Sequence, residues 1–167
     1  MKIKEGDVFT ILVSENLTGL GQIVKIPSKN NFVIAVFKYL KERNKIPEIK
    51  EVVNTSPLLL GFTTDAKLYH RHWEIIGNHP SNLEGIRMPY FKLGTPPGDS
   101  YITNYKGERV RQISTEEYSK LDFKWSRSPI GFEKALKAFH NFGEWGEDYD
   151  RLLYEKTLKS IDVVETK

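Results

Sequence analysis

The feature that most constrains the fold is a series of three short runs, rich in β-branched and aromatic residues, within the first forty positions. The runs cover residues 7–13, 19–26 and 32–37, and a polar segment of five residues separates each from the next. This composition and spacing is typical of strands joined by tight connections. It predicts an antiparallel meander that curls into an SH3-like barrel or a small half-barrel. Gly19 and Gly21 fit this curvature, because glycine permits a bulge or a close backbone approach.

Further strand-like segments follow the meander. They cover residues 58–63, 71–76, 86–93, 101–105 and 108–113. A single helical turn is expected at 65–69, between the first two of these segments. The last two flank Lys106-Gly107, and glycine at such a turn can adopt a positive φ. The sequence therefore predicts a hairpin there.

The hairpin has an expected register. Two pairs should lie opposite each other across it: Ile102 with Arg111, and Asn104 with Arg109. Successive side chains of a strand point to opposite faces, so this register also fixes which residues face inward. The expected core-facing set is Tyr101, Thr103 and Val110.

Helical signals replace strand signals after residue 113. Ser114 and Glu117 fit a capping box at a helix start. A longer helix is predicted after Ser128-Pro129, where a cap residue precedes proline in the first turn. Its apolar residues recur at helical spacing: Phe132, Ala135, Leu136 and Phe139. Gly143 is the expected terminator, and a second short helix is expected over 147–153.

Together these elements predict the α+β class, mostly antiparallel β with a short helical C-terminal cap. We expect one domain over 1–167, β-rich over 1–113 and helical over 114–160. A chain of 167 residues buries about 70% of its unfolded surface, which is enough to fold without disulfides or a structural metal.

Composition excludes several classes of function. The sequence has no cysteine, which removes disulfide frameworks, thiolate nucleophiles and cysteine-ligated zinc. Its formal net charge of +3 is small, and basic and acidic residues are interleaved, so nucleic-acid binding is not favoured. The start of the chain lacks the apolar stretch of a signal peptide, and no apolar run approaches the ~20 residues of a membrane span. We therefore expect a cytoplasmic protein that does not contact the membrane.

The histidines and glycines offer weak candidates for a metal or phosphate site. His70 and His72 would share one face of a strand. Zinc needs at least three protein ligands. Glu74 would lie on the same face, and His79 and His140 would have to come from elsewhere in the fold. Two histidines on a half-exposed strand are the simpler interpretation. Gly19-Leu20-Gly21 lacks the third glycine, the Lys-Ser/Thr pair and the following helix of a phosphate loop. No metal or cofactor is expected.

Catalytic constellations are also missing from the sequence. Nucleophilic catalysis needs Ser, Thr or Cys beside an oriented base. No strand–serine–helix elbow occurs, and the serines lie mostly in turns or near helix caps. Asp148 and Asp150 flank Tyr149 on an expected helix and point to different sides, which does not suit a shared general acid/base site. The sequence therefore predicts a protein that is not an enzyme.

The three tryptophans differ in their expected roles. Trp73 is expected in the core, and Trp145, between two glycines, is expected to lock the helices to the sheet. Trp125 lies in a connection beside Arg127, and an exposed Trp next to Arg has the composition of a protein-binding hot spot. Core packing is the alternative role for Trp125. Two arginines complete the candidate binding set: Arg109 and Arg111.

Several segments also resemble a known family. They begin with KEGDVFTI at 4–11 and include WEIIG at 73–77. The others cover 19–24, 32–37, 132–136, 143–145 and 149–150. These segments resemble the immunity protein 26 family of bacterial polymorphic toxin systems. The resemblance implies a β-rich protein, encoded beside a toxin gene, which binds the cognate toxin and blocks it. It carries over no catalytic residue and no toxin-contacting position.

Alternatives to this function stay open at this point. The first three strands are similar to small-barrel endoribonuclease toxins, although the chain is longer and lacks a clear arginine in the loop after the first strand. Aromatic and basic residues interleaved over 101–111 would suit an SH3-like nucleic-acid-binding module, provided that the rings are exposed. For a toxin-binding protein, the densest acidic cluster is an alternative contact surface: Glu144, Glu147, Asp148 and Asp150.

Overall fold

The computed structural model describes residues 2–166 and has the α+β architecture expected from the sequence. The chain divides into two compact units. The first contains the described residues up to Ile86 together with Ser126–Tyr154. The second contains Arg87–Trp125 and the described residues from Glu155 onwards. Each unit has a β-sheet of its own.

The first unit is built on an antiparallel sheet of six strands. The strands are β1 Asp7–Ser14, β2 Leu17–Ser28, β3 Asn31–Phe37, β4 Lys41–Glu42, β5 Pro57–Thr63 and β6 Ile75–Asn78. Their order is β5-β3-β2-β1-β6, and β4 pairs with the beginning of β2. The predicted meander of the first three strands is confirmed, and so is the strand expected over 58–63.

Two glycines of β2 lie where other atoms approach the sheet closely. A Cβ atom on Gly19 would lie 2.5 Å from Cδ2 of Leu136, and one on Gly21 would lie 2.4 Å from Cζ of Phe9. Carbon atoms in contact are separated by about 3.5–4.0 Å, so neither position has room for a methyl group. The atoms that approach most closely belong to side chains and not to the backbone, so these glycines make room for Leu136 and Phe9.

Helices and 3₁₀ turns complete the part of the chain that the structure describes. The α-helices are α1 Ile49–Val53, α2 Ala66–Tyr69, α3 Thr115–Lys120, α4 Pro129–Phe139 and α5 Tyr154–Glu165. The 3₁₀ segments are Pro80–Gly85 and Glu147–Leu152. Helix α2 confirms the helical turn expected near 65–69, and the second 3₁₀ segment replaces the short helix expected over 147–153. Helix α5 was not predicted as a separate element. No helix within residues 2–166 is long and apolar enough to cross a membrane.

Helix α4 packs its apolar face into the first unit. Phe132, Ala135 and Leu136 have no exposed surface, as their helical spacing predicts. Phe139 is 39% exposed, so its predicted burial is wrong. The reason is its position, because it is the last residue of the helix and the chain turns away directly after it.

The turn after α4 is a Schellman motif. The Phe142 amide donates to the Lys137 carbonyl at 2.8 Å. The Asn141 amide donates to the Ala138 carbonyl at 3.1 Å, and Asn141 has a φ of +65°. These are the hydrogen bonds and the left-handed residue that close a helix in this motif, and asparagine tolerates that conformation. The prediction that Gly143 ends the helix is therefore wrong.

Trp73 lies in the core of the first unit, as predicted, with 1% of its surface exposed. Its ring stacks on that of Phe9 with centroids 4.9 Å apart, and its Nε1 donates to Oε2 of Glu133 at 3.3 Å. The chain before it is a turn in which Arg71 has a φ of +57°, and β6 begins two residues after Trp73. A left-handed residue cannot continue a strand, so the strand predicted over 71–76 is wrong for its first four residues.

Glu133 on α4 accepts hydrogen bonds from two lysines as well as from Trp73. Nζ of Lys67 lies 3.2 Å from its Oε2, and Nζ of Lys137 lies 3.1 Å from its Oε1. Burial alone would raise the pKa of the Glu133 carboxyl. The hydrogen bonds from Lys137 and Lys67 outweigh burial and hold that pKa below its ordinary value.

Glu133→Gln is expected to reduce the acid sensitivity of folding. A carboxylate whose pKa is lower in the folded state stabilises the fold above its unfolded pKa of about 4.3 and loses that contribution as the pH falls through the folded pKa. The difference in free energy of unfolding between wild type and variant, measured by urea denaturation, should therefore shrink between about pH 6 and about pH 3. Glu84→Gln is the control, because Glu84 is exposed and has no partner among residues 2–166. A pH-independent difference for Glu133→Gln would contradict the prediction.

The second unit contains a three-stranded sheet. Strands β7 Phe91–Leu93, β8 Tyr101–Thr103 and β9 Arg109–Gln112 pair antiparallel in this order. Only the last three residues of the strand expected over 86–93 are extended in the sheet. The sheet and helices α3 and α5 share a small core: Ile102, Ile113, Leu121 and Val164. Gly107, in the turn between β8 and β9, has the expected positive φ at +85°.

The register of the β8–β9 hairpin departs from the prediction at one point. Ile102 pairs with Arg111, as predicted. Thr103, and not Asn104, pairs with Arg109, because the register shifts between the two pairs. An extra residue on one strand is a β-bulge, which no periodic pattern in the sequence indicates.

The bulge also changes which hairpin residues face inward. Ile102 has no exposed surface and Thr103 is 4% exposed. Tyr101 is half-buried, and Val110 is 49% exposed. The predicted core-facing set is therefore correct for Thr103 and wrong for Val110, and it omits Ile102.

Candidate binding surfaces

The four residues of the candidate binding set fall in both units. Arg109, Arg111 and Trp125 belong to the second unit, and Arg127 belongs to the first. Trp125 is partly exposed, as expected. Trp145, which is not in this set, is more exposed than Trp125, at 38%.

Arg111 is held by an internal ion pair. Its Nη1 and Nη2 donate to the two carboxylate oxygens of Glu117 at 3.0 and 2.7 Å, and Nη2 also donates to the Val164 carbonyl at 3.3 Å. The Glu117 side chain is 4% exposed and forms the predicted capping box with Ser114. Its carboxylate raises the pKa of the Arg111 guanidinium above its usual range. Arg111 therefore stabilises the second unit itself.

Arg127 also has internal partners, all within the first unit. Its Nη1 lies 3.2 Å from Oδ2 of Asp148, and its guanidinium carbon lies 5.8 Å from the centre of the Tyr149 ring. Its backbone amide donates to the Phe62 carbonyl at 2.9 Å. A Cβ atom on Gly131 would lie 2.5 Å from Cγ of Arg127, so the arginine stem lies directly against α4. This arginine fastens the acidic 3₁₀ segment to the start of α4.

Arg109 is the most accessible arginine of the set. It is exposed on β9, and its guanidinium carbon lies 4.4 Å from the centre of the Tyr101 ring. Such a contact holds the guanidinium by a cation–π interaction. It also covers one face of a ring that a nucleic-acid-binding module would need for base stacking. The geometry of 101–111 is therefore less suited to nucleic acid than to contact with a protein.

The acidic cluster lies in an exposed segment of the first unit. Its carboxylates are all solvent-exposed: Glu144, Glu147, Asp148 and Asp150. Trp145 meets the Tyr149 ring edge-on with centroids 5.4 Å apart, and its Nε1 donates to Oδ1 of Asp150 at 2.8 Å. Trp145 thus braces the acidic segment and does not fill the core, so the role predicted for it is wrong. The reason is that its ring contacts Asp150 and Tyr149 of this exposed segment.

The histidines do not share a strand face. His70 and His72 lie in the turn before Trp73, with ring centroids 6.4 Å apart. Within residues 2–166 there is no group of three His, Asp or Glu side chains arranged to hold a metal ion.

One nucleophile–base contact was missed by the sequence analysis. Oγ of Ser81 lies 2.9 Å from Nε2 of His79, at the start of the 3₁₀ segment Pro80–Gly85. Catalytic use of such a pair requires a third group that orients the base. Among the described residues, no group contacts the other ring nitrogen of His79. The i, i+2 spacing across proline is the only sequence signal for this pair.

Comparison with protein-family models decides the family. The model of immunity protein 26 matches residues 4–102, which is more than half of the chain. The chain belongs to the immunity protein 26 family. The resemblance in the first part of the sequence is thereby confirmed. A search of curated proteins and a search of solved structures found no match.

The immunity protein 26 match covers the whole sheet of the first unit and ends in β8. Helix α4 and the acidic segment lie outside it, so the resemblance over 132–150 stays a prediction. Of the candidate binding set, no member lies inside the match.

Within the matched part, the structure forms a groove that the sequence analysis did not anticipate. It has a volume of 430 Å³, and strands β1, β2 and β6 contribute to its lining. The connection after β4, the first residue of α1 and the residues on either side of Trp73 supply the rest. The segment 38–53 has no periodicity that predicts such a surface. Its one signal is Ile46, an isolated aliphatic residue among polar neighbours.

Proposed function

We propose that this chain binds a cognate toxin and neutralises it by protein–protein contact, without catalysing a reaction. The observation that carries the proposal is the immunity protein 26 match over residues 4–102. Aromatic and arginine side chains that reach the surface support it, since Trp, Tyr and Arg are enriched among the residues that carry most of the binding energy at protein interfaces. The toxin is expected to be the product of a neighbouring gene.

Co-expression tests the proposal directly. The toxin domain encoded by the adjacent open reading frame should arrest growth when it is produced alone, and growth should be restored when this chain is produced with it. The purified pair should co-elute in size-exclusion chromatography. Failure of an active toxin domain to form a complex with the folded chain would contradict the proposal.

The absence of catalysis is tested on the Ser81–His79 pair. Purified wild-type chain and Ser81→Ala are expected to show the same background in assays of RNA cleavage, phosphoester hydrolysis and peptide hydrolysis. The physical reason is that the half-buried His79 has no hydrogen-bond partner on its other ring nitrogen within the described residues. Turnover by the wild type that disappears in Ser81→Ala would identify an enzyme instead.

We place anchors of the toxin contact at Trp125 and Arg109, with Arg111 and Arg127 as supports whose guanidinium groups are partly engaged inside the molecule. Trp125 is partly exposed and Arg109 is exposed. Aromatic and arginine side chains that are presented by a rigid scaffold lose little entropy on binding. The acidic segment is the competing contact surface, because a basic toxin would be attracted to its four carboxylates.

Trp125→Ala is expected to weaken toxin binding by about 2 kcal/mol or more, with folding retained and only a modest dependence on salt. The charge reversal Glu147→Lys/Asp148→Lys should change affinity much less. Isothermal titration at about 0.05 M and about 0.5 M salt separates the two surfaces, because exposed charges are screened at high salt. Binding that survives Trp125→Ala but collapses on charge reversal would assign the contact to the acidic segment.

A further inference from the structure

The groove of 430 Å³ in the first unit carries basic side chains, two of which have no partner among residues 2–166. Its Lys and Arg lining consists of Arg43, Lys45 and Arg71, and His72 also lines the groove. Lys45 is paired with Glu42 at 3.1 Å. The guanidinium groups of Arg43 and Arg71 have no ion-pair or hydrogen-bond partner among residues 2–166. Two unpaired arginines at one concave surface create a positive potential that favours an acidic partner.

Aliphatic side chains form the other part of the lining. Ile46 is 89% exposed, the highest fraction of any large apolar side chain within residues 2–166, and Leu12 is 39% exposed. Ile49 and Ile76 also face the groove and are half-buried. Clustered apolar side chains at the surface, beside charged groups, mark a site of protein contact.

The segment that presents Ile46 is held in place before any partner arrives. Nζ of Lys41 donates to the Ile46 carbonyl at 3.1 Å. The Arg43 amide donates to the Asn16 carbonyl at 2.8 Å, and the Lys45 amide donates to the Glu42 carbonyl at 3.0 Å. A surface that is already ordered loses less entropy on binding than a flexible loop would.

The lining favours a protein over a nucleic acid. No Phe, Tyr or Trp of the described chain lines the groove, so bases have no ring to stack on. Isoleucine and leucine, in contrast, gain contact energy from aliphatic side chains of a protein segment.

We propose that this groove receives an acidic segment of the toxin that also carries aliphatic side chains. The proposal rests on the proposed function and specifies the chemistry of the partner. Carboxylates of the segment pair with Arg43 and Arg71, and its aliphatic side chains pack on Ile46 and Leu12. The groove lies entirely within the immunity protein 26 match, which ends beyond its last lining residue, Ile76.

The test measures binding of the full chain to the toxin domain encoded by the adjacent open reading frame, carrying an inactivating substitution. Arg43→Glu/Arg71→Glu and Ile46→Asp are each expected to raise the dissociation constant at least about tenfold. The effect of the double charge reversal should diminish at about 0.5 M salt, whereas that of Ile46→Asp should persist, because salt screens charges and not apolar contacts.

Two matched substitutions in the same unit serve as controls. Lys29→Glu reverses an exposed charge that has no partner among residues 2–166, and Ile130→Asp replaces an isoleucine that is 47% exposed. Both should bind within about twofold of wild type, since neither side chain lines the groove. All variants should remain folded and unfold cooperatively, because the substituted residues are exposed.

The outcomes separate this inference from the function on which it rests. If the wild type does not bind the toxin domain, both fail. If the wild type binds and the groove variants bind equally well, the groove inference alone is overturned. A single-stranded RNA oligonucleotide is titrated in parallel; RNA binding that both groove variants abolish, with toxin binding intact, would assign the groove to nucleic acid and overturn the inference.

Discussion

Phe132→Ala is expected to lower the free energy of unfolding by about 3–5 kcal/mol. The Phe132 ring has no exposed surface and lies over β5 at Gly61, where a Cβ atom would be 3.1 Å from its Cζ. Glycine at this position has no side chain that could move into the space left by the ring. The cavity therefore persists in the variant, and its cost adds to the lost burial of the ring. Urea denaturation followed by tryptophan fluorescence measures the change.

Phe139→Ala is the matched control for this substitution. It removes the same ring from the same helix, two turns further on, where 39% of the side chain is exposed. Folding removes less apolar area from water at this position, and the substitution leaves no closed cavity. A loss of about 1 kcal/mol in the free energy of unfolding is therefore expected. Equal losses for the two variants would show that α4 does not direct Phe132 into the core.

The strands of the meander and helix α4 could be predicted because their signals are local. Alternating or continuous apolar runs bounded by turn residues identify strands, and the 3.6-residue period identifies a buried helix face. The capping box at Ser114 and Glu117 is equally local, since both of its hydrogen bonds join residues three positions apart. In each case the residues that decide the conformation lie close to one another in the sequence.

Features that depend on distant contacts could not be predicted. The bulge in the β8–β9 hairpin shifts the partner of Arg109 by one position, and nothing in the local sequence marks it. The strand predicted over 71–76 includes Arg71, but a left-handed conformation places this residue in a turn. Asn141 closes α4 although a glycine lies two residues further on. Asparagine and glycine compete for this position, and sequence alone does not rank them.

The same limit applies to the candidate binding residues. A Trp and three Arg have the composition of a hot spot, but composition does not show which charges are already paired. Arg111 and Arg127 bind carboxylates six and twenty-one positions away. Arg43 and Arg71, which the sequence analysis passed over, have no such partners among residues 2–166. The pairing of charges is a tertiary property, and it changes which arginines are available to a partner.

Arg111→Ala is expected to lower the free energy of unfolding by about 2–3 kcal/mol. The substitution leaves the Glu117 carboxylate, whose side chain is 4% exposed, without its two charged hydrogen bonds. Removal of one partner of a fully buried pair costs about 3–5 kcal/mol. The Arg111 side chain is 38% exposed, so water reaches the pair and the loss is smaller.

Two further variants test whether this loss comes from the unpaired carboxylate. Arg111→Met/Glu117→Gln removes both charges, while the Gln side chain can still accept a hydrogen bond from the Ser114 amide in the capping box. This double variant should recover at least half of the stability lost in Arg111→Ala. Arg109→Ala, on the same strand, removes an exposed arginine with no carboxylate partner among residues 2–166 and should cost about 0.5 kcal/mol. If Arg111→Ala is as stable as Arg109→Ala and still loses toxin binding, Arg111 contacts the toxin directly. If its binding is lost only in proportion to its folded fraction, Arg111 acts through Glu117, and Arg109 remains the arginine of β9 that a partner can reach.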